Sequence, residues 1–135
     1  MRPGGDEGKL KLTGRIIYRG RTEGNALVTT QPISFLGGID PTTGKIIERD
    51  HELLGESVKG RVLVFPYGKG STVGSYTLYR LRKNGMAPSA IVNEECETIV
   101  AVGAIISEIP CVDRIDLSKI RPDVRLRVDG ATVSF

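Results

Sequence analysis

The chain has 135 residues, a formal net charge of +3, 39% hydrophobic residues, two cysteines and no tryptophan, which fits one domain with its own core and is too short for two of ordinary size. No apolar run approaches the roughly 20 residues that cross a bilayer, and Met1-Arg2-Pro3-Gly4-Gly5-Asp6-Glu7-Gly8 lacks the apolar stretch of a secretory signal, so no membrane association and a cytoplasmic location are expected. The small basic excess favours anionic ligands or an acidic partner, while the lack of tryptophan and the scattered lysines and arginines offer no stacking platform or dense basic run for nucleic acid.

Residues 1–8 read as a flexible N-terminal segment and residues 9–135 as one domain. Lys9 to Tyr18 alternates loosely through Leu10, Leu12, Ile16 and Tyr18, and Asn25 to Thr30 adds Ala26, Leu27 and Val28 beside two threonines. Together they predict two strands paired with each other. Ile33 to Ile47 is β-prone but punctuated by Gly37, Gly38, Asp40-Pro41 and Gly44, so it reads as an exposed loop and turn. His51 is the only histidine and stands among Glu48, Arg49, Asp50 and Glu52, a setting that predicts a solvent-facing side chain.

Arg61 to Phe65 is a short apolar run bounded by Gly60 and Pro66, the pattern of a buried strand. The period then changes. From Ser71 to Lys83, Val73, Tyr76 and Tyr79 or Arg80 recur at helical spacing, Arg80, Arg82 and Lys83 fall in the last turn, and Asn84-Gly85 makes a left-handed cap. Ser89 to Asn93 reads as a second buried strand. Glu97 to Ser107 reads as a helix on its alanines and length, although its isoleucines and valines also favour strand. Arg125 to Phe135 closes the chain as a hairpin about Asp129-Gly130. Cys96 and Cys111 read as reduced packing residues, neither disulfide-bonded nor ligands.

The chemistry concentrates where the first buried strand meets the first helix, in Gly68-Lys69-Gly70-Ser71-Thr72-Val73-Gly74. Gly68 and Gly70 leave backbone amides bare, and the helix start attracts an anion. Ser71 or Thr72 at the cap position would equally satisfy those amides without further role. A Walker loop is excluded because Lys69 lies between the glycines instead of after the second one. The dinucleotide fingerprint fits only loosely, since Pro66-Tyr67 lengthens the turn and the last glycine is displaced.

Gly37 to Ile47, then Gly68-Lys69-Gly70-Ser71-Thr72-Val73-Gly74-Ser75, Ala90-Ile91-Val92 and Ile99 to Ile106 together resemble the small subunit of the aconitase X family, most closely its archaeal phosphomevalonate dehydratase branch. The resemblance spans nearly the whole chain. It implies an α/β, β-rich fold, namely the swivelling β/β/α domain of aconitases, with a barrel-like sheet and flanking helices. It also implies a heterodimer with a large catalytic subunit, and removal of water from mevalonate 5-phosphate to give trans-anhydromevalonate 5-phosphate. Ser71 matches the family's proton acceptor, and Gly68, Lys69, Gly70, Thr72 and Asp40 are the expected contacts to a phosphorylated hydroxy-acid substrate. Asp40 alternatively serves only its own turn, and Lys69 alternatively only solvent. An aconitase-type iron–sulfur cluster needs three protein thiolates, so with two cysteines in this chain a 4Fe–4S cluster is expected on the large subunit and no metal here. A dehydratase of another hydroxy acid, such as a hydroxyproline, and a non-catalytic anion- or nucleic-acid-binding module are the alternatives.

Overall fold

The computed structural model describes residues 10–135, so the segment 1–8 expected to be flexible lies outside the described residues. The strands are β1 (Lys11–Thr13), β2 (Arg15–Tyr18), β3 (Arg21–Val28), β4 (Ile33–Ser34), β5 (Val62–Phe65), β6 (Gly68–Lys69), β7 (Ala90–Asn93), β8 (Cys111–Asp113), β9 (Arg125–Asp129) and β10 (Thr132–Ser134). Two helices, α1 (Gly74–Lys83) and α2 (Thr98–Ser107), connect β6 to β7 and β7 to β8, and a short 3-10 turn spans Leu117–Lys119.

Eight strands form one sheet in the order β1-β10-β9-β3-β5-β7-β8-β2, and β4 pairs with β6 in a small separate ladder. The run β3, β5, β7, β8 is parallel, as helical crossovers require. The run β3, β9, β10, β1 is antiparallel. β1 and β2 stand at opposite ends of this order although only Gly14 separates them in sequence. The sheet therefore curls until both edges belong to one bent segment, and that is the barrel-like closure the resemblance implied.

This closure corrects the expected pairing of Lys9–Tyr18 with Asn25–Thr30. β1 pairs with β10, β2 with β8, and β3 lies between β9 and β5. Alternation tells which face a side chain takes but not which strand lies alongside. β3 also begins at Arg21, earlier than expected, because its polar first half pairs with β9 from Arg21↔Asp129 to Asn25↔Arg125.

Side chains on the central strands alternate between two cores. Val62, Val64, Ala90, Val92 and Val112 point into the barrel with Leu126, Val128 and Val133. Leu63, Phe65, Ile91 and Cys111 point the other way, beneath Leu78 and Leu81 of α1 and Val100 and Ala104 of α2. The loop expected to be exposed, Ile33 to Ile47, is instead a flap over this second core: Ile33, Phe35, Ile39 and Ile46 are each 1% exposed. Phe35 meets Phe65 at 5.7 Å between ring centroids. Glycine and proline mark where a chain turns, whereas burial follows from the four apolar side chains between the turns. α2 is a helix as expected, capped by Glu97, whose carboxylate accepts from the Ile99 and Val100 amides at 2.7 and 3.2 Å. α1 starts at Gly74, three residues later than expected, because Ser71 to Val73 form a tighter turn in which the Gly74 amide donates to the Ser71 carbonyl at 2.9 Å.

Candidate functional site

The loop that leaves buried β5 is shaped by two close approaches. Gly68 is buried, and a Cβ there would lie 2.6 Å from both the Glu97 carboxylate and the Val100 side chain. Its missing side chain thus makes room for the cap of α2, and Gly68 faces inward. Gly70 has φ +95°, and a Cβ there would lie 2.9 Å from Ser34 Oγ. Only glycine meets both conditions without strain. Between them, Lys69 sits opposite Ser34 in the β4–β6 ladder, so the flap and the glycine loop form one surface.

Ser71 and Thr72 are exposed beyond this ladder. Ser71 Oγ accepts from the Val73 amide at 3.2 Å. The amides of Ser71 and Thr72 have no protein partner among the described residues. A hydroxyl held against the positive end of a helix, beside free N–H groups, is suited to bearing negative charge. Leu36, Tyr67, Val73 and Tyr76 lie exposed around the loop.

Lys69 Nζ lies 3.0 Å from Glu48 Oε2. The pair stands on the wall of an open depression of about 380 Å³ lined by Ser34, Leu36, Gly37, Gly38, Glu48, Lys69 and Gly70. Lys69 is thus paired while its side chain stays 45% exposed to solvent. Lys69, Gly70, Ser71 and Thr72 come together at one place.

Asp40 does not join them. Its carboxylate accepts from the Thr42 hydroxyl and, at 2.9 Å, from the Thr42 amide, and these bonds, the hydroxyl first, hold it below the usual carboxylate range. Its turn is tied to the far end of α1, where Asn84 Nδ2 donates to the Pro41 carbonyl at 2.8 Å, about 15 Å along the helix from its first residue, Gly74. The turn reading of Asp40 accounts for all its contacts.

His51 is a correction. It is 6% exposed, not solvent-facing. The Leu53 amide donates to Nδ1 at 3.0 Å, so the ring hydrogen sits on Nε2, 3.2 Å from the Pro32 carbonyl. Arg49, Asp50 and Glu52 turn outward while the imidazole bridges two backbone segments.

Cys96 and Cys111 are both buried and unbridged, with Sγ atoms 3.9 Å apart. The hydrogen bond to Cys96, together with burial, pushes the Cys111 thiol well above its ordinary range. Two buried thiols packed against each other fall short of the three that an aconitase-type iron–sulfur cluster needs. Among the described residues no group of three or more histidine, cysteine, aspartate or glutamate side chains is placed to hold a metal ion.

Sequence reasoning missed Glu48 and Glu97. Glu97 precedes an apolar helix, where a cap is sought, but glutamate is outside the preferred capping set. Glu48 gave no signal, because its proximity to Lys69 depends on the flap folding over.

Residues 11–135 match the family model described as the aconitase X swivel domain. The chain is 59% identical over 121 residues to the phosphomevalonate dehydratase small subunit of Thermococcus sibiricus, covering 90% of this chain and 93% of that protein. It is 62% identical over 109 residues to the protein of the same name from Methanosarcina acetivorans, covering 81% and 76%. The crystal structure of Thermococcus kodakaraensis aconitase X in its holo-form superposes with a TM-score of 0.90 at 52% identity, covering 92% of this chain and 96% of that one.

Proposed function

Because this chain belongs to the aconitase X swivel-domain family, we propose that it is the small subunit of a two-subunit hydro-lyase. The enzyme dehydrates mevalonate 5-phosphate to trans-anhydromevalonate 5-phosphate in the mevalonate route to isoprenoids. The relatives' shared name supports the activity. The observation that carries this chain's part in it is the exposed Ser71 hydroxyl just before α1, beside amides without a partner among the described residues and on the loop that also bears Lys69.

The reaction breaks a C–H bond next to the substrate carboxylate and a C–O bond one carbon further on. The C–H electron pair becomes the new double bond, the proton goes to Ser71 Oγ, and the C–O electron pair leaves with the hydroxyl as hydroxide, which becomes water by taking up one proton as Ser71 gives one up and returns to its alkoxide. A serine is basic enough for this only as an alkoxide. The Val73 amide and the positive end of α1 stabilise that charge. Lys69 and the Gly70–Thr72 backbone meet the anionic groups of the substrate. Gly68 supports the loop from beneath and Asp40 shapes its own turn. The large subunit closes the site against the apolar rim of Leu36, Tyr67, Val73 and Tyr76. It is also the proposed holder of a 4Fe–4S cluster, for which the thiols of this chain offer no fit.

The test is anaerobic reconstitution with the large subunit and an assay of water loss from mevalonate 5-phosphate. Ser71→Ala is expected to lower kcat by about 10²- to 10⁴-fold, with the melting temperature unchanged because the hydroxyl is exposed. Undiminished turnover by the variant refutes the assignment of the base. Turnover of a hydroxyproline in place of mevalonate 5-phosphate refutes the substrate.

A further inference from the structure

We propose that Glu48 is a positioning residue for this reaction, its carboxylate fixing the Lys69 ammonium beside Gly70 and Ser71 to receive the anionic end of the substrate. The inference rests on the dehydratase reading above.

Glu48 stands on a corner of the flap that is held from several sides. The Ile47 amide donates to the Gly38 carbonyl at 2.9 Å, and the His51 amide donates to the Glu48 carbonyl at 3.2 Å. The buried His51 ring in turn bonds the Pro32 carbonyl, immediately before β4. Because β4 pairs with β6, the corner bearing Glu48 and the strand bearing Lys69 are anchored to the same short segment. The imidazole and the carboxylate therefore serve one arrangement, which explains why a histidine is buried there.

The carboxylate itself is poorly provided for. Glu48 Oε1 is buried without a hydrogen-bond partner among the described residues, and Oε2 has Lys69 Nζ at 3.0 Å. Leaving a buried acceptor unmade is costly, and a half-exposed ion pair returns little stability. An arrangement that does little for the fold and sits on the wall of a depression that Gly70, the residue before the proposed base, also lines is better explained by what it does to Lys69. A lysine stem is flexible, and its ammonium has three donors. Pairing one of them to a fixed carboxylate orders the stem in advance and leaves two donors for a ligand.

The test uses the complex of both subunits and steady-state kinetics on mevalonate 5-phosphate, with Glu48→Gln, Glu48→Asp, Lys69→Met and Glu48→Gln/Lys69→Met in this chain. Glu48→Gln is expected to raise KM about three- to tenfold with kcat within about twofold, and Glu48→Asp, which keeps the charge, to recover part of the loss. In the Lys69→Met background Glu48→Gln is expected to have no further effect, since it acts through the ammonium. A KM unchanged by Glu48→Gln, or raised by the same factor with and without Lys69, overturns the inference while leaving the dehydratase reading in place. No turnover by the unaltered complex overturns both.

Discussion

Replacing Asp113 by Asn is the sharpest test of how the fold supports the site. Asp113 is 0% exposed in β8. Arg15 of β2 donates to its two oxygens at 3.0 and 2.7 Å, and the Cys96 amide donates to Oδ2 at 2.9 Å. The carboxylate thus joins the barrel's closing strand to the corner that precedes Glu97, on whose side chain Gly68 rests. Removing one partner of a fully buried ion pair costs about 3–5 kcal/mol. The Arg15 side chain is 44% exposed, and water screens that part of the interaction, so about 2 kcal/mol is the expected loss for Asp113→Asn. For a chain of this length that is a fall of about 6–10 °C in melting temperature, measured by circular dichroism at neutral pH. The pH dependence has a definite sign. Burial acts to raise the Asp113 carboxyl, but hydrogen bonds from Arg15 and the Cys96 amide outweigh it and leave the folded value below that of the unfolded chain. Its contribution is therefore complete above the unfolded carboxylate range and disappears as pH falls through the folded value. The gap between parent and variant should close as acid is added. A melting difference that is absent at neutral pH, or that widens in acid, refutes the reasoning.

Further outcomes follow from the loop. Glu97→Ala removes the acceptor of two α2 amides and should lower stability by about 1 kcal/mol in urea titrations, with earlier amide exchange at Ile99 and Val100 than elsewhere in the helix. Gly70→Ala forces a side chain into a φ of +95° against Ser34. It should reduce turnover by the two-subunit enzyme at least about tenfold while shifting the melting temperature by only a few degrees, as measured by the dehydration assay and calorimetry.

Local chemistry made much of this protein legible in its sequence. The apolar runs of β5 and β7, the cationic last turn of α1, the apolar α2 and the β9–β10 hairpin follow from periodicity and punctuation within a few residues, and each formed as expected. The Gly70–Thr72 turn was legible for the same reason, since glycines between a strand and a helix start restrict what the backbone can do, whereas Gly68 and Lys69, expected in the same loop, pair with β4 as a short strand. Which strand pairs with which was decided only in three dimensions: the bend at Gly14 sends β1 and β2 to opposite edges of one closed sheet, and nothing in the alternation of Leu10, Leu12 and Ile16 encodes that. The flap was likewise settled by tertiary packing, which buried Ile33, Phe35, Ile39 and Ile46, drew His51 inward and carried Glu48 to Lys69. Propensity and pattern act over a few neighbouring residues, whereas burial and ion pairing depend on distances between segments far apart in the chain, and only the closed barrel fixes those distances.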